Sequence, residues 1–187
     1  MIDDAEFIRG KVPMTKQEIR ALTVAKARLG VDSVVADVGA GTGSISIEAA
    51  LCAVRGKIFA IERNADAVEL IRRNVEKFSV GNVTILHKEA PDGLEALPML
   101  DAAIVGGSGG RLNDILDALT SRLKVGSRLV VNALTVQTTA QALDYFRARG
   151  WTYDAFQVQI TRLESVGLYD MARALNPVTI ITAGKNF

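Results

Sequence analysis

The fold of this chain is decided by residues 34–50, which read VVADVGAGTGSISIEAA. A β-branched apolar run comes first, three glycines follow at Gly39, Gly41 and Gly43, and a helical pattern begins at Ser44. This order predicts a buried strand, a tight turn and a helix. In an open parallel sheet, ligands bind outside the carboxyl ends of the strands, so the glycine loop (residues 39–43) is a candidate binding site.

The alternation of strand and helix continues along the chain. Apolar, β-branched runs predict strands at residues 33–38, 57–62, 83–88, 101–106, 127–134, 153–166 and 177–184. Helical patterns predict helices at residues 15–28, 44–54, 64–78, 110–122 and 137–149. We therefore expect an α/β fold with a doubly wound, mostly parallel, seven-stranded, Rossmann-like sheet, and one antiparallel strand near the C-terminus. Residues 1–187 are expected to form a single domain.

Composition narrows the class of protein. The chain has 22 Lys and Arg against 21 Asp and Glu, so its charge gives no reason to expect a nucleic-acid partner. We find no run of about 18 uncharged apolar residues and no apolar core in the first eleven residues, so we expect no membrane span, no signal peptide and a cytoplasmic location. With one cysteine and one histidine, we expect no disulfide and no metal site.

Three residues outside the glycine loop have predicted structural roles. Thr15, with Glu18 three residues later, predicts a capping box at the start of the first helix. Cys52 is expected in the apolar core of the second helix, and His87 is interpreted as a structural residue at a strand end.

The spacing of the glycines separates two kinds of ligand. A dinucleotide site reads G-x-G-x-x-G, and in that frame position 44 would be glycine, whereas the chain has Ser44. The actual pattern is D-x-G-x-G-x-G, beginning at Asp37. A carboxylate there would repel a pyrophosphate but attract an ammonium group, such as the one in S-adenosylmethionine. We therefore predict that the glycines make room for the amino-acid end of that cofactor.

Other residues on the same rim match a nucleoside ligand. Glu62 ends the second predicted strand, at the distance where an acid accepts hydrogen bonds from both ribose hydroxyls. After the third strand, Glu89 and the backbone of Ala90 lie where an adenine edge would rest. The sequence VGGSGG (105–110) after the fourth strand is a second glycine-rich loop, which could close over the methionine end or admit a planar substrate.

The glycine loop and the strand-two acid resemble those of class I S-adenosylmethionine-dependent methyltransferases. Five stretches, the glycine loop included, together resemble one family of these enzymes: GKVPMTKQEIRALTVAKARL (10–29), DVGAGTGSISIEAA (37–50), EAPDGL (89–94), AIVGGSGGRL (103–112) and NPVTIITAGK (176–185). It is the precorrin C-methylase family that methylates carbon 15 of a corrin precursor and removes a carboxyl group from an acetate arm, in cobalamin biosynthesis.

The resemblance implies a set of site residues. It places Thr15 at the cofactor, in an N-terminal segment that folds over it as a lid, and it implies a tetramer. The candidate cofactor residues are Thr15, Asp37, Gly39, Ala40, Gly41, Thr42, Gly43, Glu62, Arg63, Glu89 and Ala90. The candidate residues for a tetrapyrrole with carboxylate arms are Gly107, Arg111, Asn132, Arg162 and Tyr169, and further cations on the rim are Arg9, Lys11 and Arg173.

Three alternatives to this function stay open on the sequence. The first is a class I methyltransferase of RNA or protein, although VGGSGG lacks the motif that grips a flipped adenine. The second is an NAD-dependent oxidoreductase, which Ser44 and Asp37 disfavour. The third is a cofactor-binding module without catalysis.

Overall fold

The computed structural model describes residues 1–185, which are built around one seven-stranded sheet. The strands are β1 (Val34–Val38), β2 (Lys57–Glu62), β3 (Val83–His87), β4 (Leu100–Val105), β5 (Leu123–Ala133), β6 (Tyr153–Val158), β7 (Thr161–Val166), β8 (Tyr169–Ala174) and β9 (Val178–Gly184). The helices are α1 (Gln17–Ala27), α2 (Ser44–Cys52), α3 (Ala65–Lys77), α4 (Leu112–Arg122) and α5 (Val136–Ala148). Short 3-10 turns lie at Asp4–Glu6 and Leu94–Ala96.

The sheet has the strand order β3-β2-β1-β4-β5-β9-β6. β1 pairs in parallel with β2 and β4, and β4 pairs in parallel with β5, so the order reverses beside β1. β9 runs antiparallel to both of its neighbours, β5 and β6. The predicted doubly wound sheet with an antiparallel strand near the C-terminus is therefore confirmed, and the glycine loop lies at the switch point.

Helices cover both faces of this sheet and bury a core on each. One face packs against α4 and α5, through side chains such as Leu116 and Phe146, both fully buried. The other packs against α1 and α2, through Ile19 and Ile47 among others. Because both faces are covered, the central strands are apolar at successive positions, as the sequence pattern predicted.

The predicted strand at 153–166 is wrong in one respect, because it is two strands in different sheets. Residues 153–158 form β6 at the edge of the main sheet, whereas β7 leaves it and pairs antiparallel with β8 in a separate hairpin. The chain therefore has nine strands within residues 1–185, and β8 occupies a segment predicted as a connection. The alternating pattern runs through β6 and β7, so periodicity does not mark where the chain leaves the sheet.

Two local predictions are also wrong. Helix α1 is preceded by Lys16 as its N-cap, without a side-chain cap, and the Thr15 carbonyl instead accepts a hydrogen bond from Arg20. Cys52, predicted in the core, is the last residue of α2 and is exposed. Across residues 1–185, no helix combines the length and the apolarity needed to cross a bilayer.

Candidate active site

A cavity of about 770 Å³ opens at the carboxyl ends of the parallel strands. Its walls come from segments that are distant in sequence: the glycine loop, residues 61–67, the second glycine-rich loop, residues 11–16, and the chain on either side of the β7–β8 hairpin, at Val158, Ile160, Leu175, Asn176 and Val178. This volume lies within the range of about 300–1,000 Å³ typical of small-molecule sites.

The three glycines of the loop all have left-handed backbones, with φ of 73° at Gly39, 58° at Gly41 and 78° at Gly43. A Cβ atom on Gly39 would lie 2.6 Å from the backbone nitrogen of Gly107, in the second loop. A Cβ on Gly41 would lie 3.2 Å from the Pro13 carbonyl oxygen, and one on Gly43 would lie 3.0 Å from Ile71.

These contacts give the glycines a role in packing within the protein. Three segments of the protein approach the bare backbone: the second loop, the N-terminal segment and helix α3. The glycines therefore allow three segments to converge on one turn, and the cavity is the space that they enclose.

Asp37 lies beneath this loop and not in the cavity wall. It is buried, and one of its carboxylate oxygens accepts a hydrogen bond from the Ser46 hydroxyl at 2.6 Å. Burial raises the pKa of Asp37 to about 6; the Ser46 hydrogen bond lowers it in part, and the negative charge of Glu62 raises it further. The expected attraction between Asp37 and a ligand ammonium group would therefore act through the loop and not by contact.

Glu62 occupies the position that the sequence predicts, at the end of β2 and in the cavity wall. One carboxylate oxygen accepts a hydrogen bond from the Gly41 backbone and the other from the Asn64 backbone, both at 2.9 Å. These bonds fix the carboxylate beside the glycine loop while each oxygen keeps lone pairs for a further donor.

The rim next to Glu62 is polar. Arg63 and Glu89 form an ion pair of 2.9 Å between the ends of β2 and β3, and both side chains are more than half exposed. The imidazole Nε2 of His87 lies 3.1 Å from the Arg63 carbonyl oxygen, so His87 contacts the backbone that leads into this rim.

The opposite half of the cavity is largely apolar. Its wall includes Ile19, Ile115, Val158, Ile160, Leu175 and Val178. Asn132, at the end of β5, is a buried polar group in this half, and its amide lies 3.0–3.1 Å from the hydroxyl of Thr23. The Thr23 hydroxyl donates to the Ile19 carbonyl at 2.7 Å, so it can accept from the Asn132 amide nitrogen.

The structure brings most of the predicted site residues together, but not all. The predicted residues in the cavity wall are Thr15, Gly39, Ala40, Gly41, Glu62, Arg63, Glu89, Ala90, Gly107 and Asn132. The predicted residues outside that wall are Asp37, Thr42, Gly43, Arg111, Arg162 and Tyr169.

The predicted arginines outside the wall have acidic partners. Arg162 lies 2.6 Å from Glu18, and Arg111 lies 3.4 Å from Asp114. Arg173 lies 2.5 Å from Glu164 on the hairpin, which also contains Tyr169. Their charges are therefore already matched within the protein.

Sequence reasoning missed several residues of the cavity wall. These are Lys16, Asn64, Asp66, Lys88 and Asn176, among others. Asn64 could have been found, because it follows Glu62 by two residues and caps helix α3, where its side chain accepts hydrogen bonds from the backbone of Asp66 and Ala67.

Known proteins share both the sequence and this architecture. The precorrin methyltransferase domain family matches residues 6–185. The chain belongs to the precorrin methyltransferase family. A relative from Salmonella typhimurium, named cobalt-precorrin-6B C(15)-methyltransferase (decarboxylating), is 39% identical over 97% of this chain and 95% of its own length.

Solved precorrin enzymes have the same fold over nearly the whole chain. A precorrin-6y C5,15-methyltransferase from Geobacter metallireducens superposes with a TM-score of 0.94 at 43% identity, covering 99% of this chain and 98% of its own. A precorrin-8w decarboxylase from Methanobacterium thermoautotrophicum superposes with a TM-score of 0.92 at 36% identity, covering 98% and 100%. The predicted family is thus confirmed, and family membership makes the chain an S-adenosylmethionine-dependent methyltransferase.

Proposed function

We propose that this precorrin methyltransferase methylates carbon 15 of precorrin-6B or its cobalt complex and removes carbon dioxide from an acetate arm. The observation that supports this most directly is the two-part cavity. One part joins the glycine loop to Glu62, as a nucleoside cofactor requires, and the other has an apolar wall, which suits a macrocycle.

The residues of the first part fit S-adenosylmethionine. Glu62 would accept hydrogen bonds from the ribose hydroxyls, since its carboxylate is held in the wall by Gly41 and Asn64. The backbone of Ala90, with Glu89 beside it, would meet the adenine edge, and Thr15 in the N-terminal segment would cover the ligand. When bound, the cofactor supplies a methyl group already activated by its sulfonium.

The charges that would bind the carboxylate arms are lysines and not the predicted arginines. Lys11, Lys16 and Lys88 line the cavity. Among the described residues, Lys11 and Lys88 have no ion pair within 4.0 Å, and Lys16 has one at 3.9 Å from Asp4. An ammonium group without a close acidic partner can take a carboxylate without first breaking an ion pair.

The protein contributes to the reaction by aligning the substrate with the cofactor and by excluding water. The apolar half of the cavity would hold the macrocycle with its nucleophilic carbon toward the glycine loop and exclude water from the transfer. Loss of carbon dioxide breaks the bond between the carboxyl group and the methylene of the arm, and the electron pair enters the conjugated ring. An apolar wall favours this step because it removes water from the carboxylate, and the Asn132 amide can orient that group.

We also infer a homotetramer, assembled through the β7–β8 hairpin. The hairpin lies outside the main sheet and exposes large apolar side chains: Leu163, Val166, Leu168, Tyr169 and Met171. A cluster of this kind on a protruding hairpin is typical of an interaction surface, and a second copy of the chain offers a matching one.

A single turnover experiment tests the reaction. The enzyme is incubated with cobalt-precorrin-6B and cofactor that has an isotopically labelled methyl group, and the product mass is measured. We expect one labelled methyl gained and one carbon dioxide lost. A product that gains methyl but keeps every carboxyl group would restrict the activity to methylation, and an unchanged tetrapyrrole would refute the proposal.

A further inference from the structure

The first sixteen residues form an N-terminal strap that ends at helix α1 and contributes residues 11–16 to the cavity wall. Its carbonyl at Pro13 is the group nearest to a Cβ on Gly41. The strap therefore lies directly against the glycine loop, and both segments contribute to the cavity wall.

Arg20 fixes the two ends of the strap. Its guanidinium is fully buried and donates to the Thr15 carbonyl at 2.9 Å, to Asp4 at 2.9 Å and to the Ile2 carbonyl. Glu48 on α2 receives the Ile2 backbone N–H at 2.6 Å. The Arg20 guanidinium on α1 thus binds both the beginning and the end of the strap.

Asn74 fixes the middle of the strap. This fully buried side chain on α3 accepts a hydrogen bond from the Ile8 backbone N–H at 2.7 Å and donates one to the Ile8 carbonyl at 3.0 Å. Its amide nitrogen also donates to the Thr42 carbonyl, in the glycine loop, at 3.0 Å. A single amide therefore bonds the strap and the glycine loop at once.

Between these two attachments, residues 9–14 are held differently. In the described part of the chain, no hydrogen bond joins the backbone of residues 9–14 to other segments. Packing alone holds this part of the strap, including Val12 and Met14 in the cavity wall. The hydrogen bonds that hold the strap are therefore those on either side of this stretch, at Ile8 and Thr15.

We propose that Asn74 is a positioning residue for cofactor binding, which couples the strap to the glycine loop. It does not line the cavity, so it acts through Ile8 and Thr42. The proposal rests on the proposed function, because the ligand of the cavity is taken to be S-adenosylmethionine. Removing the hydrogen bonds of Asn74 is expected to weaken cofactor binding but to leave kcat, the rate at saturating cofactor, unchanged.

The test compares Asn74→Leu with Asn82→Leu. Asn82 also donates two hydrogen bonds to backbone carbonyls, those of Ala50 and Ala53, but among the described residues its side chain has no hydrogen bond to the strap or the glycine loop. We measure the Kd for adenosylhomocysteine by calorimetry, amide hydrogen exchange of residues 2–14, and KM and kcat. For Asn74→Leu we expect faster exchange at Ile8, a Kd and a cofactor KM raised tenfold or more, and a kcat within twofold. For Asn82→Leu we expect the wild-type Kd.

Three results would overturn the proposal: a wild-type Kd in Asn74→Leu, an equal rise in both variants, or unchanged exchange at Ile8. If Asn74→Leu does not fold, Ile8→Pro replaces it, because it removes the N–H that donates to Asn74 without altering α3; exchange is then read at the neighbouring residues 7 and 9, and the Kd and KM are read as before. If the wild-type protein itself fails to bind adenosylhomocysteine, the proposed function is wrong, and not only the role assigned to Asn74.

Discussion

Glu62→Gln tests the cofactor site, since it changes the charge of the side chain and hardly its size. Glu62 is buried in the cavity wall, and each of its oxygens accepts one backbone N–H at 2.9 Å. A hydrogen bond to an ionised group contributes about 1.5–3 kcal/mol. At 1.4 kcal/mol per tenfold change in affinity, the Kd for adenosylhomocysteine should rise about 10- to 100-fold.

Glu62→Gln also disturbs a hydrogen bond to a backbone N–H, so its control must be a glutamate that accepts such a bond as well. The new amide nitrogen faces the N–H of either Gly41 or Asn64, which leaves one buried donor without an acceptor and costs about 1–3 kcal/mol of folding free energy. Glu95→Gln is the matched control, because Glu95 accepts the Gly93 backbone N–H at 2.8 Å and lies outside the cavity wall.

Isothermal titration calorimetry gives the Kd and urea unfolding gives the stability. We expect the Glu95 variant to keep the wild-type Kd. A Kd within twofold of wild type in a folded Glu62 variant would refute the role of Glu62, and an equal loss in both variants would assign the effect to general destabilisation.

Three more predictions concern the loop, the buried acid and the hairpin. Gly39→Ala should lower both the free energy of unfolding and the cofactor affinity, because the new Cβ would lie 2.6 Å from a backbone nitrogen. Gly110→Ala is the control: Gly110 is also left-handed but a Cβ there has no atom within 4 Å, so this variant should lose only about 1–2 kcal/mol of unfolding free energy and keep the wild-type Kd. Equal effects of the two variants in denaturation and calorimetry would contradict this. The folded pKa of Asp37, about 6, exceeds its ordinary 3.8, so the folded state holds a proton that the unfolded state releases, and stability falls as pH rises from about 4 to 6 by up to about 3 kcal/mol. In Asp37→Asn this fall should be absent, and urea unfolding that shows the wild-type pH dependence would disprove the assignment. Leu168→Asp, at a side chain that is 97% exposed, should reduce a tetramer to smaller species in light scattering; a wild-type monomer would exclude the inferred assembly.

The sheet and its binding edge were predictable because their signals are local. Strands buried on both faces require consecutive apolar residues, and the glycine loop between 34–38 and Ser44 is compatible with few other structures. Glu62 follows from the geometry of parallel strands, since the ends of β1 and β2 meet at one edge.

The strap attachments were not predicted, because they join residues that are distant in sequence. A signal for them does exist. Asn74 lies on the same helical face as Ala67 and Ile71, and Arg20 lies beside Ile19 and Thr23, so each places a polar group on a buried face. A buried polar side chain requires partners, but the sequence does not say that those partners are Ile8 and Thr15.

The rim arginines stay predictions, and the sequence showed only part of their surroundings. Charge and position in the chain place Arg111 and Arg162 near the substrate side. Arg111 pairs with Asp114, three residues later, and with the more distant Asp92, whereas the acid that pairs with Arg162 is Glu18, in α1. Only the folded arrangement distinguishes an arginine that is already paired from a lysine that faces the cavity.

The central claim is that the cofactor lies between the glycine loop and Glu62, beneath the N-terminal strap. A crystal structure of the complex with adenosylhomocysteine tests it directly. We predict that the ribose hydroxyls lie within hydrogen-bond distance of the Glu62 carboxylate and that residues 11–16 cover the ligand. A ligand bound elsewhere, or one whose ribose makes no contact with Glu62, would contradict the account.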